Sequence, residues 1–372
     1  EMCIRDSIMA GIYIHVPFCT VKCAYCDFYS VARPDMADAY IDAVGKEYRA
    51  RRHETGDAPI NTLYIGGGTP SLLSPAQFAK LISYFDLGPV KEFTIEANPD
   101  DIDDAHVEAW ADCGVNRVSI GVQSLVDAEL QAVGRRHDAR QALDAVARLQ
   151  EHGIDNISGD LIYGLPGQTP DSFSYSLDTL LSTGIKHLSA YCLSYEEGTR
   201  LWRWLQQGRV APTEDDIIAV MYDTLCQRAR TAGFEHYEIS NFALPGYRSR
   251  HNSSYWHGVP YLGLGPGAHS CDIHGTRRYV PSDIQAYITA PETAAIVDEE
   301  SDTDRANDRI MTSLRTAEGL DLSQFTPAQQ QELKALAAPH VASQRLVVTG
   351  RGFAIPEMSF MLSDAVIRDL LL

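Results

Sequence analysis

Across the first two-thirds of this chain, short β-rich runs alternate regularly with longer helical stretches, and no other feature restricts the fold as much. Strands are expected at 12–16, 62–65, 93–96, 117–121, 157–162 and 187–193, each rich in Ile, Val, Tyr or Thr and most followed by Gly, Pro or Asn. Helices are expected between them at 36–52, 75–85, 105–113, 139–152 and 170–182. In the fourth of these, Ala142, Leu143, Val146, Ala147 and Leu149 share one face, which must be buried. Strand–helix alternation puts parallel strands in one sheet with helices outside it. Six such units predict an α/β fold of the TIM-like kind, a barrel or a partial (β/α)6 barrel.

In such barrels function collects at the C-terminal ends of the strands. Here those ends read His15-Val16-Pro17, Gly66-Gly67-Gly68-Thr69-Pro70, Glu96-Ala97-Asn98-Pro99, Gly121-Val122-Gln123-Ser124 and Asp160-Leu161-Ile162-Tyr163-Gly164, so polar and Gly-rich residues gather at one mouth. The pattern changes after about residue 235. A strand is expected at 234–240, then loops rich in Gly, Pro, His and aromatics over 241–278. Short helices resume near 304, and 347–354 with its central Gly reads as a hairpin, so the tail is expected to be a small, mainly helical, winged-helix-like domain. The expected division is a barrel over 9–235, an extension over 236–303 and a C-terminal domain over 304–372. Residues 1–8 are set apart as a leader or an artefact, because Met9-Ala10-Gly11-Ile12-Tyr13 runs directly into the first strand like a natural start.

The formal net charge is −19, and a groove that tracks phosphates needs clustered Lys and Arg, so nucleic acid is not an expected partner. No apolar run is long enough to span a bilayer and no secretory leader is visible, so the expected compartment is the cytoplasm. Of the eight cysteines three crowd together, whereas a disulfide framework would be denser in a shorter chain. The pattern fits one metal site in a reducing compartment.

That site is Cys19-Thr20-Val21-Lys22-Cys23-Ala24-Tyr25-Cys26, with the spacing C-x3-C-x2-C. Three thiolates on one loop can hold three irons of a cubane cluster and leave the fourth iron open to a small molecule. Zinc is the competing metal, with His15 or Asp27 as its fourth ligand. The spacing just after the first strand of an α/β barrel resembles the radical S-adenosylmethionine (SAM) superfamily, and Tyr13-Ile14-His15-Val16-Pro17-Phe18-Cys19 is similar to the branch that holds oxygen-independent coproporphyrinogen III oxidase (HemN) and the HemW haem chaperones. The resemblance implies a 4Fe–4S cluster on Cys19, Cys23 and Cys26, with SAM chelating the open iron. It also implies SAM contacts from the glycine-rich strand end, Gly67, Gly68 and Thr69, and from Glu96, Gln123, Arg135 and Asp160, with Tyr13 and Tyr25 packing against SAM and cluster. A carboxylate can take ribose hydroxyls, and Arg the SAM carboxylate.

Within this branch two features point away from the oxidase. Its members carry a fourth cysteine two positions after the third, where this chain has Phe28, and a longer stretch before the first strand. A third feature, His251-Asn252-Ser253-Ser254-Tyr255-Trp256, resembles the H-N-x-x-Y-W motif of HemW, and Leu362-Ser363-Asp364 continues the likeness. The resemblance implies haem as a further ligand, with His251 as its axial ligand and His257, His269 and His274 as alternatives. Tyr255 and Trp256 can stack on a macrocycle, and Arg248 and Arg250 can pair with its propionates. The implied role is a chaperone passing haem to acceptor haemoproteins, compatible with a transient membrane association, and it need not turn over a substrate. The alternatives are oxidative decarboxylation of coproporphyrinogen III in porphyrin biosynthesis and a radical SAM reaction on another substrate.

Overall fold

Six strands, β1 (Ala10–Val16), β2 (Ile60–Gly67), β3 (Glu92–Ala97), β4 (Arg117–Gln123), β5 (Ile157–Tyr163) and β6 (His187–Cys192), pair in sequence order and all in parallel. They are seen in a computed structural model that describes residues 9–372; the leader expected over 1–8, with Cys3, lies outside the described residues. Both faces of these strands are covered, which is why β1 is buried at nearly every position and reads Ala-Gly-Ile-Tyr-Ile-His-Val without polar alternation. Crossovers run through α1 (Ala37–Arg51), α2 (Pro75–Ile82), α3 (Asp104–Asp112), the pair α4 (Asp127–Ala132) and α5 (Ala139–Glu151), and α6 (Pro170–Ser182). Sequence signals at the helix starts explain where they begin. Ser74 with Gln77, Asp138 with Gln141 and Thr169 with Ser172 each form a reciprocal capping box, and Pro opens α2 and α6.

The barrel does not close. After α7 (Arg200–Gln206) and α8 (Asp215–Thr231), β7 (Glu235–Glu238) and β8 (Asn241–Ala243) form a hairpin whose second strand lies antiparallel on β6. After α9 (Arg250–Trp256) the chain returns to the other edge, where β9 (Tyr261–Leu264) runs parallel to β1. Strands β10 (His269–Cys271), β11 (Arg277–Tyr279) and β12 (Ile296–Val297) extend that edge antiparallel, giving a sheet of 12 strands, with α10 (Ile284–Thr289) between β11 and β12. The expectation of loops over 241–278 is therefore corrected: the segment carries a helix and four strands. Each strand there is three or four residues long, too short to show a period.

The tail follows its expected pattern. Helix α11 (Asp302–Leu314), β13 (Leu320–Asp321), α12 (Pro327–Ala342) and the hairpin of β14 (Val347–Val348) and β15 (Gly352–Ala354) form a small three-stranded unit, closed by α13 (Ser363–Asp369). Its buried Ile310, Leu333, Phe353 and Leu370 join the same hydrophobic core as the barrel strands. Among the described residues no helix is long and apolar enough to cross a membrane.

Candidate iron–sulfur and SAM site

The cysteine loop leaves the C-terminal end of β1 and is held at several points. Val31 N donates to Pro17 O at 2.7 Å and Cys19 N to Val31 O at 3.1 Å, which closes the loop. Its middle is pinned by Ala24, fully buried, whose N donates to Val133 O at 2.9 Å and whose O accepts from Leu201 N at 2.8 Å. Cys19, Cys23 and Cys26 are all unpaired and partly exposed. Among the described residues, their sulfurs do not all come within 4.8 Å of one another, as a single zinc ion would require. A cubane spreads its thiolates more widely, one to each of three irons.

The glycine run at the end of β2 makes room for the loop. Gly68 N donates to Val16 O at 2.8 Å, and a Cβ at Gly68 would lie 2.7 Å from Phe18 O. Gly67 sits at φ 112°, a conformation side chains disfavour. Thr69 Oγ1 is 3.3 Å from Cys19 Sγ.

Loop and strand ends enclose a cavity of about 450 Å³ lined by the three cysteines, Tyr25, Gly67, Gly68, Thr69, Glu96, Gln123, Arg135 and Asp160. These expected residues come together. Tyr13 does not: it lies one layer deeper in the barrel, its hydroxyl 3.1 Å from His15 Nδ1 and its ring against Tyr64. The strand alternation that places Ile12 and Ile14 on one face turns Tyr13 to the barrel interior, below the mouth.

Each polar group of the cavity is positioned. Glu96 accepts from Tyr64 Oη at 2.8 Å and from Gly67 N at 3.1 Å, and burial pushes its carboxyl up to about 7. Asp160 accepts from Ser119 Oγ at 2.9 Å and Ser158 Oγ at 3.1 Å, and is likewise raised by burial. Arg135 donates to Asn98 Oδ1 at 2.8 Å, Gly121 O at 2.6 Å and Cys23 Sγ at 3.4 Å; its Nε is buried with no partner. Gln123 stands at φ 66° beyond a register shift between β4 and β5, a non-glycine residue in the left-handed region that turns its side chain to the mouth. The cavity thus offers three cysteine sulfurs, a guanidinium and two carboxyl groups, a donor and acceptor set that suits a cluster-bound amino acid and a ribose.

Sequence reasoning missed Asn98, Ser119 and Tyr191, which also line the cavity. Asn98 lay in a strand-end motif already noted, and only the fold shows it bonding Arg135. Arg117 was missed too. It begins β4 inside the barrel at 1 % exposure, with Nε and Nη1 lacking partners, and its charge counters the burial of Glu96 and Asp160.

His251 lies elsewhere. It is on α9, capped by Ser249 accepting from Asn252 N, and is 1 % exposed at the end of the barrel away from the cysteines. Nδ1 is 2.8 Å from Thr62 Oγ1 and Nε2 is 2.7 Å from Tyr255 Oη, while its backbone N–H donates to Glu92 Oε1 at 2.9 Å. Burial, and then Arg117, push the imidazole down to about 3, so it is neutral. His257, His269 and His274 are exposed. Arg248 is held by Glu235 and Glu318. Tyr255, Trp256 and His257 form one wall of a second cavity, about 360 Å³, against the C-terminal unit, with Arg277, Arg309 and Arg351 among its other walls.

Comparison with known proteins agrees with this geometry. Residues 13–180 match the radical SAM superfamily. The chain is 34% identical to the haem chaperone HemW of Lactococcus lactis, over 92% of this chain and 94% of that one. It is 34% identical to HemW of Mycobacterium tuberculosis, over 97% and 94%, and 38% identical to HemW of Bacillus subtilis, over 75% of each. Its fold superposes on coproporphyrinogen III oxidase (HemN) from Escherichia coli with a TM-score of 0.82, over 99% of this chain and 91% of that one, at 22% identity. The chain therefore belongs to the HemW family of the radical SAM superfamily, and that superfamily implies a 4Fe–4S cluster and SAM.

Proposed function

We propose that this protein is a haem chaperone, binding haem and passing it to acceptor haemoproteins, with a SAM-binding cluster that supports or regulates the transfer. The observation that carries the proposal is the likeness to HemW chaperones along nearly the full length of both chains. Phe28 adds to it: the position where the oxidases carry a fourth cysteine is an aromatic side chain, 63% exposed at the rim of the cluster cavity.

Cys19, Cys23 and Cys26 would hold the cluster, which with SAM supplies one-electron reductive chemistry. Arg135, already fixed by Asn98 and Gly121, would take the SAM carboxylate. Asp160 would accept from ribose hydroxyls, and Glu96 would do so or hold the amino group. Haem would dock on the wall made by Tyr255, Trp256 and His257. His251 would ligate the haem iron if Tyr255 turned away; His257, already exposed there, would otherwise do so.

The test is to purify the protein anaerobically with its cluster, add haem, and follow the Soret band for wild type, His251→Ala and His257→Ala. In parallel, coproporphyrinogen III, SAM and a reductant are supplied. Haem binding without decarboxylation supports the chaperone, and loss of the band in one histidine variant identifies the ligand. No haem binding by wild type, or decarboxylation at enzyme-like rates, overturns the proposal.

A further inference from the structure

We propose that Cys226, His236 and Glu357 form a zinc site, separate from the cluster, that ties the C-terminal unit to the barrel extension. Cys226 lies on α8, His236 on β7, and Glu357 at the start of a helical turn over Glu357–Leu362 in the C-terminal unit. Among the described residues, these three alone bring a sulfur, an imidazole nitrogen and a carboxylate oxygen within 4.8 Å of one another.

The hydrogen bonding of His236 leaves a gap that a cation fills. Its Nε2 is 3.1 Å from Ile239 O, and a carbonyl can only accept, so Nε2 carries the hydrogen. In the neutral ring Nδ1 then offers a lone pair. That lone pair meets Glu357 Oε1, a second acceptor, at 3.3 Å, while Cys226 Sγ at 3.9 Å offers only a weak S–H donor, whose proton a bound metal would release. Zinc takes nitrogen and oxygen at roughly 2.0–2.2 Å and sulfur at about 2.3 Å in a tetrahedron, which sets ligand atoms about 3.4–3.6 Å apart. The two separations from Nδ1 need only a few tenths of an ångström of adjustment, and sulfur and carboxylate oxygen lie within 4.8 Å of each other.

The surroundings are those of a metal ligand. A ligating histidine usually donates its other ring N–H to a backbone carbonyl or carboxylate, as His236 does. Its ring is fixed by stacking on Phe242 at 4.0 Å and by the edge of Phe360 at 4.9 Å. Arg230 donates to Glu357 Oε2 at 2.6 Å, which leaves Oε1 turned toward His236. Beside Cys226, the Tyr222 hydroxyl is buried and unpartnered at 5% exposure, placed to donate to a thiolate. Glu357 is partly exposed, so water can reach the fourth position. Sulfur, nitrogen and oxygen ligands in a tetrahedron select zinc over magnesium or calcium.

The test uses the cluster-loaded protein with one equivalent of zinc. Zinc K-edge X-ray absorption is blind to the iron and reports only the zinc shell. One bound zinc with one sulfur near 2.3 Å is expected. Cys226→Ala and His236→Gln should each weaken zinc binding at least roughly tenfold. Because those side chains are buried, Glu357→Gln on the surface is a second probe: zinc should raise the Tm of wild type and move that of Glu357→Gln less. A zinc shell with no sulfur or with several, or equal affinity in wild type and Glu357→Gln, overturns the site and leaves His236 and Glu357 as an ion pair.

Discussion

The hydroxyl of Tyr255 stands 2.7 Å from Nε2 of His251, one helical turn away on α9, and with Thr62 on Nδ1 it engages both nitrogens of the imidazole. Haem iron at His251 has to displace that hydroxyl, so part of the binding free energy is lost to a broken hydrogen bond. Tyr255→Phe removes the competitor. A neutral hydrogen bond contributes roughly 0.5–1.5 kcal/mol, so haem affinity should rise about two- to tenfold. Soret titration of wild type, Tyr255→Phe and the double variant with His251→Ala decides it: the gain must vanish in the double variant. An equal gain without His251 assigns the iron to another residue.

Glu96 links function to stability with opposite signs. Its carboxyl titrates near 7 in the folded protein and near its ordinary value when unfolded. A raised folded-state pKa gives stability that is complete below about 4.5 and lost as pH rises through 7. Glu96→Gln should therefore be more stable than wild type at pH 8, by on the order of 2–3 kcal/mol, and about equal at pH 4. SAM affinity should move the other way, falling roughly ten- to hundredfold at pH 8 if a charge-assisted contact is removed. Urea denaturation at the two pH values and calorimetric SAM titration of the cluster-loaded protein read the two effects. A variant that binds SAM as wild type does removes Glu96 from the site.

Gly68 admits no side chain without moving backbone, because its neighbours at 2.7 and 3.0 Å would be Phe18 O and Val16 O, just ahead of Cys19. Gly68→Ala should displace the cysteine loop and cost about 1–3 kcal/mol, typical of overpacking. The loss should appear first as iron and sulfide content below wild type after identical reconstitution. Full cluster occupancy in Gly68→Ala would mean the loop has slack that these contacts do not show.

How far the sequence could be read depends on the length of each element. The six parallel strands were legible within two residues at either end, because each is a short run rich in β-branched and aromatic residues, most of them followed by turn residues, as at Glu92–Ala97 before Asn98-Pro99. The cysteine loop was legible as a metal site from its spacing, whereas the choice of an iron–sulfur cluster over zinc came from the resemblance. The segment between Asn241 and Arg278 was not, because β8 to β11 are held in place by neighbouring strands rather than by their own periodicity. Tyr13 stands apart from the cavity lining for a related reason: a residue three positions from a strand end can lie on the interior face and still sit one layer below the mouth. His251 shows the same limit, since the motif marks the residue but not that Thr62 and Tyr255 occupy both its nitrogens.

A buried ion pair, Arg51 with Glu47, holds the second edge of the sheet. Arg51, 4% exposed at the end of α1, donates to Glu47 Oε1 at 2.5 Å and Glu54 Oε2 at 3.0 Å, and also reaches Gly263 O at 3.1 Å and Ser270 Oγ at 2.9 Å on β9 and β10. Glu47 is fully buried and accepts further from Gly265 N at 2.9 Å and Tyr287 Oη at 2.7 Å. Removing the guanidinium leaves that carboxylate without its counter-charge inside the fold, with the Gly265 N–H and the Tyr287 hydroxyl left to offset its burial only in part. Arg51→Leu should therefore destabilise the protein by about 3–5 kcal/mol, the range for breaking a buried pair from one side. The double variant Arg51→Leu with Glu47→Gln should recover part of the loss, since the charge is then gone from both partners. Chemical denaturation of wild type, Arg51→Leu, Glu47→Gln and the double variant gives the coupling directly. Because β9 borders β1, the strand that feeds the cysteine loop, the single variant should also lose cluster faster in air than the double variant does.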